Sequence, residues 1–437
     1  MELIQAQRGT KDILPVETGE WSAQSRKWQA VEEVMRGEAE ISGFREIRTP
    51  VFEDTRLFQR SVGETTDVVQ KEMYTFLDQG KRSVTLKPEG TAGAVRAYLE
   101  HGLFNEPMPV KLYYLTPCYR YEKAQAGRQR EFHQFGVEMF GSSLPVADAG
   151  LIAFAHSLFE RLCIKNLKLK INSIGCPTCR AKYTEALKAY FTQYKEKLCD
   201  TCLSRLDRNP MRILDCKDPQ CSEVAKGAPH ILDYLCDDCR GHFEQVKADL
   251  DSIGIKYEVD PTIVRGLDYY TRTVFEFVSG DLGAQSTVCG GGRYDGLVEE
   301  LGGRATPALG FAVGLERLLM IMQAQKVEFP KPDTCELYVA NIGEPAHLEA
   351  FRIVQQMRSC AVEAECDEVG RSLNAQMKYA GKIGAQFTLV LGDDEIASGK
   401  GVIKNMKTGE KKKIDLKNDL EGQFAAISCE GEDDLAF

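Results

Sequence analysis

Leu112-Tyr-Tyr-Leu-Thr-Pro-Cys-Tyr-Arg120 and Phe132-His-Gln-Phe-Gly-Val-Glu-Met-Phe140 alternate in character on either side of a polar segment, Tyr121 to Glu131. Alternation with a period of two marks a half-buried strand. Two such runs around a polar loop predict a long antiparallel hairpin. Gln134 and Glu138 then share one face, and Arg120 lies near the loop end of the partner strand. A buried strand rarely places Gln and Glu at two inward positions unless they are used. The alternative is a solvent-facing strand, and the functional face is the stronger reading.

The chain has 437 residues, more than one ordinary domain, and its length points to roughly two to four. With 43% hydrophobic and 27% charged residues it has the composition of a soluble globular protein. No apolar run approaches the roughly 18 residues that span a bilayer. The start, Met1 to Arg8, lacks the basic head and apolar core of a signal peptide, so a cytoplasmic location and no membrane partner are expected. A net charge of −10 argues against coating nucleic acid with the whole surface but leaves room for local basic patches. One holds Lys111, Arg120, Lys123, Arg128 and Arg130; another holds Lys400, Lys404, Lys407, Lys411, Lys412 and Lys413. The second reads equally well as the charged edge of a hairpin.

Further along, residues 20–42 read as a helix with Trp21, Trp28, Val31 and Met35 near helical spacing and Gly43 at its end. Ser83 to Leu86 reads as a strand that leads through Lys87-Pro-Glu-Gly-Thr91 into a helix. Strand character returns at Lys256 to Val259, Thr273 to Val278, Ser286 to Cys289 and Ala308 to Val313. The run Gly290-Gly-Gly-Arg-Tyr-Asp295 lacks dinucleotide-binding spacing and reads as a tight turn exposing Arg293 and Tyr294. After a proline-containing linker at Phe329 to Asp333, strands and helices alternate as in a separate small α/β domain.

Fifteen cysteines in a cytoplasmic chain are not expected to form a disulfide framework. Cys176/Cys179, Cys199/Cys202 and Cys236/Cys239 are C-x-x-C pairs, with Cys216 and Cys221 as a looser fourth. Eight thiols in pairs match one or two structural Zn²⁺ sites of four thiolates each; free thiols on helices are the alternative. Val264-Arg-Gly-Leu-Asp-Tyr-Tyr-Thr271 packs a cation, a glycine, a carboxylate and two phenols into eight residues. That mixture suits a small polar ligand with a phosphate. Taken alone, it also suits a surface cation, a turn Asp and two core tyrosines.

Several of these stretches together resemble the histidyl-tRNA synthetases, a family of class II aminoacyl-tRNA synthetases. The resemblance begins at Arg8 to Pro15. Gly43 to Pro50 resembles class II motif 1. Tyr119 to Glu122 with Arg128 and Phe132 to Glu138 resembles motif 2, and Gly310 to Arg317 resembles motif 3. Val264 to Thr271 and Gly290 to Gly296 resemble two blocks peculiar to the histidine enzymes, and the last hundred or so residues resemble their anticodon-binding domain. The motif 2 loop departs from the common pattern at Lys123-Ala124, Gln129 and Glu131, which bears on its tRNA contacts.

The resemblance implies an α+β fold: a class II antiparallel sheet flanked by helices, with a helical insertion and a C-terminal α/β anticodon-binding domain. The catalytic core would occupy residues 1–175 and 253–328, the cysteine-rich insertion 176–252 and the anticodon-binding domain 333–437. It implies a homodimer that attaches L-histidine to tRNA(His) with ATP and Mg²⁺, any zinc being structural and dispensable to the chemistry. Arg120 and Arg265 would flank the α-phosphate as catalytic groups, with Arg128 and Arg317 also on ATP. Glu89, Gly90, Thr91, Gln134, Glu138, Tyr269 and Tyr270 would bind histidine, Glu138 and Tyr270 taking the two ring nitrogens. A non-catalytic paralogue, the histidine-sensing regulatory subunit of ATP phosphoribosyltransferase, is the rival reading. It usually lacks the anticodon domain and erodes the catalytic arginines.

Overall fold

The hairpin forms, and it lies inside a larger sheet. The computed structural model describes residues 3–15, 24–63, 66, 68–123, 127–216, 218–264, 267–280, 287–329 and 335–429. Trp21, Arg265 and Gly266 fall outside these residues. The chain divides into two units, 1–329 and 330–437.

In the first unit, helix α1 (Ser25–Ile41) buries Trp28, Val31, Met35 and Ala39 along one stripe. It ends at Gly43, whose φ of 79° lets the chain reverse while Phe44 N–H bonds Ala39 O at 2.9 Å. Strand β1 (Arg45–Glu46) follows, then β2 (Phe52–Asp54) and helix α2 (Thr55–Val62), capped by Asp54, which accepts Arg56 N–H at 2.9 Å. β3 (Thr75–Leu77) and β4 (Ser83–Leu86) complete a three-stranded sheet ordered β2-β4-β3. After α3 (Thr91–Glu100) come the hairpin strands β5 (Val110–Tyr119) and β6 (Glu131–Phe140), α4 (Pro145–Arg161) and β7 (Leu167–Ser173). Four helices fill the cysteine-rich region: α5 (Pro177–Thr192), α6 (Asp200–Arg208), α7 (Pro219–Ala225) and α8 (Asp237–Ser252). The unit closes with β8 (Glu258–Val259), β9 (Thr271–Ser279), β10 (Thr287–Arg293), α9 (Leu297–Glu300), β11 (Ala308–Gly314) and α10 (Leu315–Ala324).

The main sheet has the order β1-β5-β6-β11-β10-β9-β7-β8. Its interior pairs are antiparallel, and only the outermost pairs, β1 with β5 and β7 with β8, are parallel. Phe135, Val137, Phe311 and Val313 pack on one face against Trp28, Phe154 and Leu318. Each such fully buried side chain contributes about 1.5–3 kcal/mol. The pleat therefore turns Gln134, Gly136 and Glu138 to the opposite face. There Tyr114 pairs with Gly136, and Gly310 with Glu138.

One expectation is overturned. Gly290 to Arg293 are strand, not turn, and Arg293 and Tyr294 are buried rather than exposed, at 0% and 1%. A Cβ on Gly291 would run into Gly310 O and Phe311, and one on Gly292 would lie 2.5 Å from Thr273 O. These glycines answer close strand packing. Arg293 is held by Asp148 from α4, by Ser142 O at 2.7 Å and by Asp295 at 3.1 Å. Burial alone would push the Asp148 carboxyl up, but the His242 hydrogen bond and the Arg293 charge outweigh it and hold it below the ordinary range.

The second unit is a five-stranded sheet, order β13-β12-β14-β15-β16, from β12 (Leu337–Asn341), β13 (Ala364–Cys366), β14 (Phe387–Leu391), β15 (Lys400–Asn405) and β16 (Lys411–Asp415). Helices α11 (Glu344–Ser359), α12 (Leu373–Lys382), α13 (Asp393–Ser398) and α14 (Leu420–Cys429) accompany it. β13, β12 and β14 are parallel, and the lysine-rich segment forms the antiparallel edge hairpin β15–β16, with Lys404 opposite Lys411.

Removing one partner of a buried ion pair strands the other charge, at a cost of about 3–5 kcal/mol. Asp148→Ala is therefore expected to lower unfolding stability by about that amount in urea titration, whereas Asp54→Ala, at an exposed helix cap, costs about 1 kcal/mol.

Candidate active site

A cleft of about 730 Å³ opens on the Gln134–Glu138 face of the sheet. Behind the wall at one end, against the lining residues Thr91 and Tyr294, Glu138 is 1% exposed. It accepts hydrogen bonds from Thr91 Oγ1 at 2.7 Å, Tyr114 OH at 3.0 Å and Tyr294 OH. A carboxylate offers about four acceptor sites, and these three donors leave about one. Burial pushes the Glu138 carboxyl up to about 8, against the hydrogen bonds from Tyr294 and Thr91. Tyr114 has room because Gly90 and Gly136 flank its ring; a Cβ on either would collide with it. Gly310 likewise leaves room for the Glu138 carboxylate.

Glu89 is also buried. Its two oxygens accept Thr91 N–H at 2.7 Å and Ala92 N–H at 2.8 Å, at the open start of α3. Burial lifts its carboxyl above the ordinary range even so. Thr91 gives its hydroxyl proton to Glu138, which leaves oxygen lone pairs facing the cleft. Gln134 lines the same wall and accepts from the buried Cys118 thiol at 3.4 Å. Tyr269 and Tyr270 stand opposite, ring centroids 4.7 Å apart, and Tyr269 meets Tyr294 edge-on at 5.4 Å.

The other end is cationic. Arg120 donates from Nε to Pro88 O at 2.9 Å and lies over the Phe132 ring at 5.4 Å. Arg128 pairs with Glu122 at 2.9 Å, and Arg317 donates to Thr287 O at 2.5 Å. Burial and the neighbouring Arg128 pull the Arg317 guanidinium below its ordinary value, and Arg120 adds to this. Guanidinium stays charged at any working pH, so three cations crowd one end of a cleft and favour a polyanion. The sequence reading missed Tyr114 and Tyr294. Gly136, between Gln134 and Glu138, was the available signal for a large ring opposite. It also missed His133, which pairs with Glu316 at 3.0 Å; burial opposes its charged form, but Glu316 prevails and raises it.

The eight paired cysteines separate into two groups of four: Cys176, Cys179, Cys236 and Cys239, and Cys199, Cys202, Cys216 and Cys221. Within each group all sulfurs lie within 4.8 Å of one another. Cys176 and Cys179 Sγ are 3.6 Å apart, Cys199 and Cys216 Sγ 3.9 Å. A tetrahedral zinc with bonds of about 2.3 Å requires sulfur–sulfur edges of about 3.8 Å. Backbone N–H groups of Cys236 and Cys199 donate to Cys179 and Cys221 Sγ, each at 3.1 Å, as thiolates would demand. The residues fit two metal ions.

A largely antiparallel sheet flanked by helices, with the cleft on one of its faces, is the fold of the class II aminoacyl-tRNA synthetases. A family model described as histidyl-tRNA synthetase matches residues 20–318, and one described as anticodon binding domain matches 336–421. Histidine–tRNA ligase of Acetivibrio thermocellus is 55% identical over 95% of this chain and 98% of its own, and that of Clostridium novyi 52% over 95% and 97%. The apo crystal structure of S. aureus histidyl-tRNA synthetase superposes with a TM-score of 0.82 at 38% identity, covering 97% of this chain and 99% of that one. The chain belongs to the histidyl-tRNA synthetase family.

A carboxyl whose folded value is raised stabilises the fold while protonated and loses that contribution as pH rises from its ordinary 4.5 through about 8. Glu138→Gln, which keeps shape and stays neutral, is expected to gain melting temperature relative to the parent as pH rises over that interval. No gain between pH 5 and 9 by scanning calorimetry would contradict the burial argument.

Proposed function

We propose that the chain is a histidine–tRNA ligase, which activates L-histidine with MgATP to histidyl-adenylate and passes it to tRNA(His). The observation that carries this reading is a cleft with buried Glu89, Thr91 and Tyr294 at one end, Glu138 directly behind them, and three guanidiniums at the other. An imidazole has two ring nitrogens to satisfy, and a site built around both rejects apolar rivals by about 10⁴ or better, because its own polar groups would go unpaired. Glu138 accepts from one ring nitrogen and Tyr270 pairs with the other. Glu89, Thr91 and Gln134 take the α-amino group, Gly90 leaves room for Tyr114, and Tyr269 lines the pocket.

Arg120 bridges the histidine carboxylate and the α-phosphate. Arg265 meets the same phosphate from the other side, and Arg128 and Arg317 hold the outer phosphates. The carboxylate attacks the α-phosphate, pyrophosphate leaves, and planar guanidinium forks stabilise the charge that builds on the phosphate oxygens. The phosphate oxygen serves as base when the tRNA ribose takes the histidyl group. The intact arginines and the second unit weigh against the regulatory paralogue. The second unit reads the anticodon, and the edge hairpin with Lys404 opposite Lys411 supplies positive charge for the tRNA backbone. Exposed Phe52, Phe76 and Leu77 on the small three-stranded sheet support a second copy packing there as a homodimer. Each cysteine group holds one Zn²⁺ that ties the insertion, residues 176–252, to itself.

ATP–pyrophosphate exchange is expected to depend on histidine and to fall by about 10²–10³ in Arg265→Ala. A protein that binds histidine without exchange would instead be the regulatory paralogue. Elemental analysis is expected to find two zinc ions per chain in the parent and one in Cys176→Ser/Cys179→Ser; a zinc-free parent rejects the metal reading.

A further inference from the structure

The second cysteine group borders the cleft, and Cys199 and Cys216 help to line it. The segment between Cys202 and Cys216, the end of α6 and a 3₁₀ turn, carries Asn209 and Arg212. Both side chains reach Asp268. Asn209 Nδ2 lies 3.1 Å from Asp268 Oδ1, Arg212 Nε 3.1 Å and Arg212 Nη2 2.8 Å. Asp268 directly precedes Tyr269 and Tyr270, the buried phenols of the histidine pocket. On its other side it packs on Gly63 at the end of α2, where a Cβ would fall 2.7 Å from Asp268 Oδ2. Gly63 has φ 95°, so its lack of a side chain serves the backbone as well. Asp268 is thus clamped between α2 and the insertion, and the proposed chemistry does not use it.

Arg212 sits in a single 3₁₀ turn, Pro210–Ile213, anchored by buried Met211 and Ile213. Such turns have poor hydrogen-bond geometry and depend on their surroundings. Cys199 and Cys202 on one side and Cys216 and Cys221 on the other bracket this segment, and a metal that joined them would remove freedom it otherwise has. The first cysteine group reaches the same segment by a different route: Arg180, next to Cys179, donates to Tyr270 O at 3.1 Å. Among the described residues, Asn209 and Arg212 of the second group's segment hydrogen-bond the Asp268 side chain, whereas Arg180 acts on it through charge.

We propose that metal bound by Cys199, Cys202, Cys216 and Cys221 sets the affinity of the cleft for histidine, by holding Asn209 and Arg212 on Asp268 and so fixing Tyr269 and Tyr270. The inference rests on the metal reading above. The metal takes no part in the reaction, and Asp268 is a positioning residue.

The test uses the full chain, with zinc content and histidine Kd measured together in four proteins: parent, Cys199→Ser/Cys216→Ser, Asp268→Asn and their combination. The cysteine variant is expected to lose one of two zinc ions and to weaken histidine by about tenfold, the scale of one lost charge-assisted hydrogen bond. Asp268→Asn is expected to keep both ions, weaken histidine similarly and raise its KM more than it lowers kcat. The combination is expected to be no worse than either alone, because both act through one contact. If the cysteine variant does not fold, Cys176→Ser/Cys179→Ser, which keeps the second group alone, is stripped by chelator and reloaded with zinc, the loss of affinity being reversed on reloading. Zinc loss with unchanged histidine Kd, or additive effects in the combination, overturns the coupling alone. A parent with no metal in this group overturns the metal reading and the coupling with it.

Discussion

A carboxylate buried in the middle of a sheet is unfavourable unless hydrogen-bonded, and at Glu138 the donors come from three separate stretches of chain. Thr91 opens α3, Tyr114 stands on β5, and Tyr294 follows β10. One acid therefore fixes the relative placement of a helix, a hairpin and the far half of the sheet. Gly90, Gly136 and Gly310 make that convergence sterically possible. The pocket's shape follows from satisfying this group, and the same group gives the pocket its polarity.

The cationic end obeys the opposite logic. Glu122 pairs with Arg128 and lies near Arg120, and burial together with the neighbouring guanidiniums leaves Arg317 depressed. Such a cluster is at its most favourable with an anion between its members. The cleft thus has a hydroxyl-rich end around a near-neutral acid and a positively charged end. An amino acid joined to a nucleotide has the matching polarity.

The parts of this arrangement that were legible in the sequence depend on local geometry. The period of two placed Gln134 and Glu138 on one face without knowledge of what packs behind them, and β5 and β6 bear it out. The glycine run at Gly290 to Gly292 was misread because glycine signals two things, an unusual φ or a close neighbour, and only the strands on either side decide between them. Arg293 could not be read as buried, since its partner Asp148 lies 145 residues away with no local signature. Cysteine spacing identified the pairs but left one or two clusters open. The first and last pairs come together, and the middle pair joins Cys216 and Cys221, because α5 and α8 bring the ends of the cysteine-rich region together. The partners of Asp268 were hidden for the same reason, since Asn209 and Arg212 lie in the cysteine-rich region, more than fifty residues earlier.

The strand order also carries a consequence for synthesis of the chain. β6, which bears Glu138, has β5 as its near neighbour in sequence and β11 as its far one, and the His133–Glu316 contact beside that seam spans 183 residues. The hairpin can form as soon as it leaves the ribosome, whereas the seam must wait until Gly314 has been made. During that interval the Glu138 carboxyl lacks its Tyr294 donor and its cover from β11. It is then less buried, and since burial is what raises it, it is easier to ionise than after the last strand of this sheet is laid in. The group that organises the pocket thus also marks, in its own proton, the moment at which the sheet closes.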